Sequence, residues 1–253
     1  MKAAFERVHN FRDIAQTLGT LAGGERIAPG RIFRSAELTQ ATRRDLQVLR
    51  DLGVRTVVDL RSPEEVAAFG GFSAPSIRTR YISLLDKRGR DQLASASALG
   101  DCYAALLDGP ALPAALVQVL ETLADPQLTP VVVSCSAGKD RTGIVIAVLG
   151  LLLGARVDAV IDDYAATGPN LDELYRQWAE HPQSTIVADL AAGKPNLFAP
   201  PDAMAGLCQI LRGADLDLRL VRHGARSDLA DRLRQVYVDR SRDSGSGALR
   251  FHA

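Results

Sequence analysis

The sequence predicts an α/β protein with a mostly parallel central sheet flanked by helices and closed by a C-terminal helical lid. Three observations carry that expectation. Apolar, β-branched runs at 54–60 and 130–135 are long enough for buried strands, segments with helical periodicity alternate with them, and beyond Ala155 only helical patterns follow.

In chain order, residues 10–14 and 31–34 read as short extended segments separated by Gly23-Gly24 and Pro29-Gly30, an opening strand pair at a sheet edge. From Thr39, a residue suited to capping, Leu46, Leu49 and Leu52 recur at helical spacing until Gly53 stops the helix. Residues 54–60 form a buried strand. Ser62-Pro63-Glu64-Glu65 then supplies an N-cap, a proline in the first turn and acid near the positive helix end. Residues 77–84 are a further strand, and the polar segment 86–100, rich in Ser and Gly, reads as a mobile loop. A helix at 112–123, a three-valine strand at 130–135 and an apolar helix from near Arg141 follow. Further helices are expected at 158–166, 171–179, 183–191, 201–211 and 226–238. One domain spans 1–240, with the lid at about 156–212, and the Ser-Gly-rich tail 241–253 is expected to be disordered.

Composition narrows the function. The 253 residues carry 30 Lys+Arg and 30 Asp+Glu, so no global field draws the chain to nucleic acid or to a membrane surface. Lysine appears only at positions 2, 87, 139 and 194, so the cations are nearly all arginine, as in many GC-rich genomes. Three cysteines without paired spacing argue against a disulfide framework and for a reducing, cytoplasmic setting. The N-terminus has no apolar run resembling a signal sequence, and nothing in the sequence addresses export by other routes. The longest apolar stretch, 143–155, falls short of the roughly 20 residues that cross a bilayer. No metal ligand set and no cofactor motif stand out, and oligomeric state is unread.

The chemistry concentrates at 134–143, SCSAGKDRTG, between a strand end and a helix start, where open α/β sheets place ligands. Five residues separate Cys135 from Arg141, enough for a loop of inward amides from Ser136, Ala137, Gly138, Lys139 and Asp140 around one oxyanion, aided by the helix dipole. That field favours the Cys135 thiolate, which is the competent nucleophile. Arg141 offers a planar fork to two phosphate oxygens. Asp140 is the candidate general acid, Thr142 or Ser136 can donate to the sulfur, and Lys139 is expected at the rim, favouring multiply phosphorylated substrates.

Cys-x5-Arg-Thr-Gly resembles the signature loop of protein tyrosine phosphatases, and Gly138-Lys139-Asp140-Arg141-Thr142-Gly143 resembles its atypical bacterial branch of mycobacterial type. Asn10-Phe11-Arg12-Asp13, the run Gly30 to Leu38, and Val58-Asp59-Leu60-Arg61-Ser62 match three further blocks of that branch in order. The resemblance implies a two-step, metal-free phosphatase acting on phosphotyrosine, sometimes on phosphoserine or phosphothreonine, and on phosphoinositides, with Asp140 as acid. Its partners would be a phosphorylated protein or a phosphoinositide. The family usually has histidine before the nucleophile; this chain has Ser134.

Asp59 and Arg61 are equally suited to the phosphate site and to a structural pair, and Arg12 and Arg34 lean toward structural support. Asp86, Asp91 and Asp101 are rival acids. Cys102 and Cys208 are expected in the core, Asp162, Asp163 and Tyr164 on helix surface or in packing, and His223-Gly224 at a helix end. Two alternatives keep the loop: a phosphate-binding pseudophosphatase and a persulfide-carrying sulfurtransferase.

Overall fold

The computed structural model describes residues 5–180, 186–213 and 215–239. Its strands are β1 (Arg12–Asp13), β2 (Arg26–Ile27), β3 (Ile32–Ser35), β4 (Thr56–Asp59), β5 (Arg78–Tyr81), β6 (Val131–Ser134) and β7 (Val238–Asp239). Its helices are α1 (Ile14–Leu18), α2 (Arg43–Asp51), α3 (Pro63–Phe69), α4 (Lys87–Ala94), α5 (Leu99–Asp108), α6 (Ala111–Leu123), α7 (Asp140–Leu153), α8 (Val157–Ala165), α9 (Leu171–Ala179), α10 (Ile186–Ala191), α11 (Pro201–Gly213), α12 (Leu216–Arg222) and α13 (Leu229–Tyr237).

The main sheet runs β1-β3-β6-β4-β5, with β1 antiparallel to β3 and all other neighbours parallel. The mostly parallel α/β arrangement is the one the alternating sequence patterns predict. Strand β6 lies at the centre and is buried throughout, which is why it reads as an unbroken valine run. Its side chains alternate: Val131 and Val133 enter the core that holds α7, whereas Val132 enters the opposite core with Phe33, Val57 and Leu49. The register pairs Ser134 with Ser35 on one side and with Asp59 on the other, so the chain leaves β3, β4 and β6 at one common edge.

Helix α7 is buried on almost every side, between α6, α8 and α13, and ends on Gly154 in the left-handed conformation. Helix α3 begins with a reciprocal cap: Ser62 accepts from the Glu65 amide, and Glu65 accepts from the Ser62 amide.

Several expectations are corrected. The cap of α2 is Thr42, paired with Asp45, rather than Thr39. Segment 86–100 is not a loop: Asp86 caps α4 by accepting from the Gly89 amide, and α5 follows. Its few apolar side chains hid the pattern, since Gly89 packs under Leu85 and Leu106 without a side chain of its own. The region after Ala155 is not wholly helical, because β7 returns to pair with β2. Helices α8 and α11, within the 156–212 stretch, pack with α1, α5 and α7 in the main core, whereas α9, α10 and Leu197 pack in a separate cluster. The expected helix at 183–191 is seen from Ile186, and 181–185 and the tail 241–253 lie outside the described residues. Among the described residues no single helix is long and apolar enough to cross a membrane; α5 and α6 pass that test only as a pair bent by 83°.

Candidate active site

The loop from Cys135 to Lys139 joins β6 to the N-terminus of α7, at the edge where β3 and β4 also end. Two side chains hold its carbonyls outward through three hydrogen bonds. Asn10 Nδ2 donates to the carbonyls of Ala137 at 3.0 Å and Gly138 at 2.9 Å, and Arg34 Nη2 donates to Gly138 at 2.7 Å. Because each peptide is trans and planar, a carbonyl fixed outward turns the next amide inward. The inward amides and the start of α7 together make an anion cradle. Gly138 is required there: its φ is +64°, and a Cβ would sit 2.3 Å from the Ser35 carbonyl oxygen.

The braces are themselves anchored. Arg34 and Arg12 both pair with the buried carboxylate of Asp163, Arg12 through Nε at 3.0 Å, and Thr17 Oγ1 donates to the same carboxylate at 2.7 Å. Arg12 also donates to the Asn10 side chain and to Thr167 Oγ1 at 3.0 Å. Burial pushes the Asp163 carboxyl up, but the two guanidinium charges outweigh it and hold the pKa below the ordinary aspartate value. Arg12 falls to about 10 through burial and the charge of Arg34, against the pull of Asp163. Two cations on one carboxylate leave a net positive charge directly behind the loop.

Cys135 and Arg141 are 3 % and 8 % exposed at the two ends of the cradle. The Arg141 fork is engaged by Glu65: Nη1 donates to Oε2 at 2.6 Å and Nη2 to Oε1 at 2.7 Å. Ser136 Oγ bridges the pair, accepting from Arg141 Nη2 at 2.8 Å and donating to Glu65 Oε1 at 2.9 Å. Burial would raise the Glu65 carboxyl; the hydrogen bonds and charge of Arg141, with help from the Ser62 amide and Ser136, instead bring it down to about 2. Burial likewise opposes the charge on Arg141, and the nearby charges of Cys135 and Glu65 override it, raising its pKa.

Asp140 opens α7. Its Oδ1 accepts from the Tyr103 hydroxyl at 2.5 Å, and Lys139 Nζ lies 3.4 Å from Oδ2. Lys139 is not at the rim. Its side chain is buried, and its ammonium donates to the carbonyls of Asn196 and, at 2.8 Å, Phe198 in the covering segment. That segment packs Leu171, Leu174, Tyr175, Ile186 and Leu197 against Ala36 and Ala137 beside the loop.

Asp59 and Arg61 form a buried bidentate pair that fixes the turn after β4. The rival acids lie elsewhere: Asp86 caps α4, Asp91 pairs with the exposed Lys87, and Asp101 is exposed on α5. Cys102 and Cys208 are buried free thiols, both pushed up to about 11 by burial. His223 is exposed at the end of α12. The hydroxyls of Ser134 and Thr142 are buried without a hydrogen-bond partner among the described residues.

Residues 3–215 match the model of a family described as the tyrosine phosphatase family. The chain belongs to that family. The triple specificity protein phosphatase PtpB of Mycobacterium tuberculosis is 29% identical over 214 residues, 72% of this chain and 75% of that protein. A putative tyrosine-protein phosphatase of Cupriavidus necator is 34% identical over 175 residues, 64% of this chain and 61% of the relative. Among solved structures, TpbA of P. aeruginosa in complex with phosphotyrosine has a TM-score of 0.41 at 17% identity, covering 77% of this chain and 86% of that one. Membership in a phosphatase family displaces the sulfurtransferase alternative.

The sequence pattern points to Cys135, Arg141 and the loop directly, but not to four residues that the fold brings to them. Glu65 reads as a helix-cap acid and is that too; Asp163 reads as packing; Asn10 sits in a family block without a role; Tyr103 carries no signal at all. Only Asn10, adjacent to Arg12 in a matched block, was recoverable from the sequence.

Proposed function

We propose that this phosphatase hydrolyses phosphate monoesters through a cysteinyl-phosphate intermediate on Cys135, with phosphotyrosine in proteins as its principal substrate. The observation that carries the reading is the Cys135–Arg141 loop whose carbonyls Asn10 and Arg34 pin outward. Substrate phosphate sits among the amides of 136–141 with Arg141 on its equatorial oxygens. Glu65 takes the Nη1–Nη2 edge of the guanidinium and Ser136 accepts the second Nη2 proton, so the anion is taken up as its oxygens replace the Ser136 contact.

The Cys135 thiolate attacks phosphorus in line, forming the S–P bond as the ester P–O bond breaks. Asp140 gives its proton to the departing oxygen. Water then attacks phosphorus, Asp140 takes the proton, and the S–P bond breaks to release inorganic phosphate and the thiolate. Thr142, whose buried hydroxyl has no partner among the described residues, is the hydroxyl available to the sulfur, whereas the Ser136 proton is committed to Glu65. Asp59, Arg12 and Arg34 act as supports of the loop and its neighbours. No metal or cofactor takes part.

Phosphoserine, phosphothreonine and phosphoinositides are the additional classes that the family resemblance implies. With the Lys139 ammonium committed to the Asn196 and Phe198 carbonyls, a second phosphate group has no preset cation at that position. Helices α9 and α10 and the turn Pro195–Leu197 serve as the lid of a single catalytic domain, and three unpaired thiols suit the cytoplasm.

The test is hydrolysis of p-nitrophenyl phosphate and of phosphopeptides and phosphoinositides by wild type and Cys135→Ser, with rapid acid quench to trap cysteinyl phosphate. Loss of turnover in the variant and a phosphorylated Cys135 in wild type are expected. Wild-type turnover by Cys135→Ser sinks the mechanism; no turnover by the wild type on any of these substrates favours the pseudophosphatase.

A further inference from the structure

The Tyr103 hydroxyl donates to Asp140 Oδ1 at 2.5 Å, and the Tyr164 hydroxyl lies 2.9 Å from Tyr103. Tyr103 comes from α5 and Tyr164 from α8; both side chains are fully buried and their rings meet edge to face. Neither tyrosine falls within the sequence blocks that resemble the family.

A hydroxyl has one proton. Tyr103 spends it on Asp140, so its oxygen is the acceptor in the second contact and Tyr164 is the donor. The chain of bonds therefore runs Tyr164 to Tyr103 to Asp140 Oδ1. Burial, and after it the charge of Asp140, raises both phenols above the ordinary tyrosine range, which keeps both as O–H donors. An oxygen that already accepts so short a bond is not the one that carries the acid's proton. That leaves Oδ2, whose other charged neighbour is Lys139 Nζ at 3.4 Å.

We propose that Tyr103, held by Tyr164, is a positioning residue for the acid, fixing the Asp140 carboxyl through Oδ1 and reserving Oδ2 to pass the proton to the leaving oxygen. This rests on the reading of Asp140 as general acid. Tyr103 touches neither phosphate nor the reacting oxygen; it acts through Asp140.

The experiment measures kcat/KM for Tyr103→Phe, Tyr164→Phe and Asp140→Asn on phosphate esters whose leaving groups range from p-nitrophenol to a simple alkanol. Protonation matters little for a good leaving group and strongly for a poor one. Tyr103→Phe is expected to lose little on p-nitrophenyl phosphate and about 10- to 100-fold on the alkyl ester, as a lost hydrogen bond to a charged group would cost. Tyr164→Phe is expected to show the same grading at smaller amplitude, and it reads the relay if Tyr103→Phe folds poorly. A uniform loss across leaving groups in both tyrosine variants, with Asp140→Asn still graded, overturns the role of Tyr103 and leaves the acid assignment standing. A flat Asp140→Asn series overturns the assignment of Asp140 itself.

Discussion

Replacing Glu65 with glutamine removes the charge opposite Arg141 while retaining the helix cap, since glutamine fills the third position of a capping box as glutamate does. The fall of the Glu65 pKa from 4.5 to about 2 sets a ceiling on what that charge contributes. At about 1.4 kcal/mol per tenfold change in proton affinity, the ceiling is about 3.4 kcal/mol. The carboxylate is partly open to water, and screening brings the expectation to about 2 kcal/mol at pH 7. For a chain of this size that is a drop of about 4–8 °C in Tm. The sign follows from the direction of the shift. A carboxyl whose folded pKa is depressed adds stability above its unfolded pKa, and that stability drains as pH falls from 4.5 through about 2. Glutamine does not titrate, so by pH 3 less than about half of the pH 7 gap between the two proteins remains. Urea melts of both proteins at pH 7 and pH 3 check this, with kcat/KM expected to fall at least about tenfold in the variant as Arg141 loses its orientation. An equal gap at the two pH values, or none at pH 7, would refute the claim that this ion pair holds the guanidinium.

Two further changes test the scaffold behind the loop. Gly138→Ala places a methyl group 2.3 Å from a backbone oxygen at a residue with φ of +64°, so phosphate or vanadate binding is expected to disappear together with a loss of at least about 2 kcal/mol in urea melts. An alanine variant that binds vanadate normally contradicts the cradle geometry. Asp163→Ala strands Arg12 and Arg34 as buried, uncompensated cations and is expected to cost about 3–5 kcal/mol by the same measurement; a cost below about 1 kcal/mol shows that other groups neutralise them.

Legibility in the sequence followed range. The Cys135–Arg141 loop was readable because its partners lie within a few residues of one another and its flanking strand and helix are strongly apolar. The parallel sheet was readable for the same reason. Glu65 meets Arg141 across 76 residues and Asp163 meets Arg34 across 129, and periodicity carries no trace of such pairings. Helix α4 was missed because it shows a polar face with almost no apolar stripe, and its evidence is a single capping aspartate. Lys139 was misplaced because a loop position sets where the Cα lies, whereas the four-carbon side chain reaches the Asn196 and Phe198 carbonyls.

The pairing of β2 with β7 has a consequence for biosynthesis. Arg26 lies opposite Asp239, and from the adjacent α13 Arg234 donates to the carbonyl of Leu153 at the far end of α7 and pairs with Glu25. Tyr237 adds a hydrogen bond to the Leu123 carbonyl at 2.9 Å. A nascent chain releases Cys135 and its loop long before it releases these residues, and closing so distant a contact is a slow entropic step. The helix that supports the cradle is thus tied at its far end to the last described strand, so the backing of the nucleophile draws on residues more than a hundred positions downstream of it.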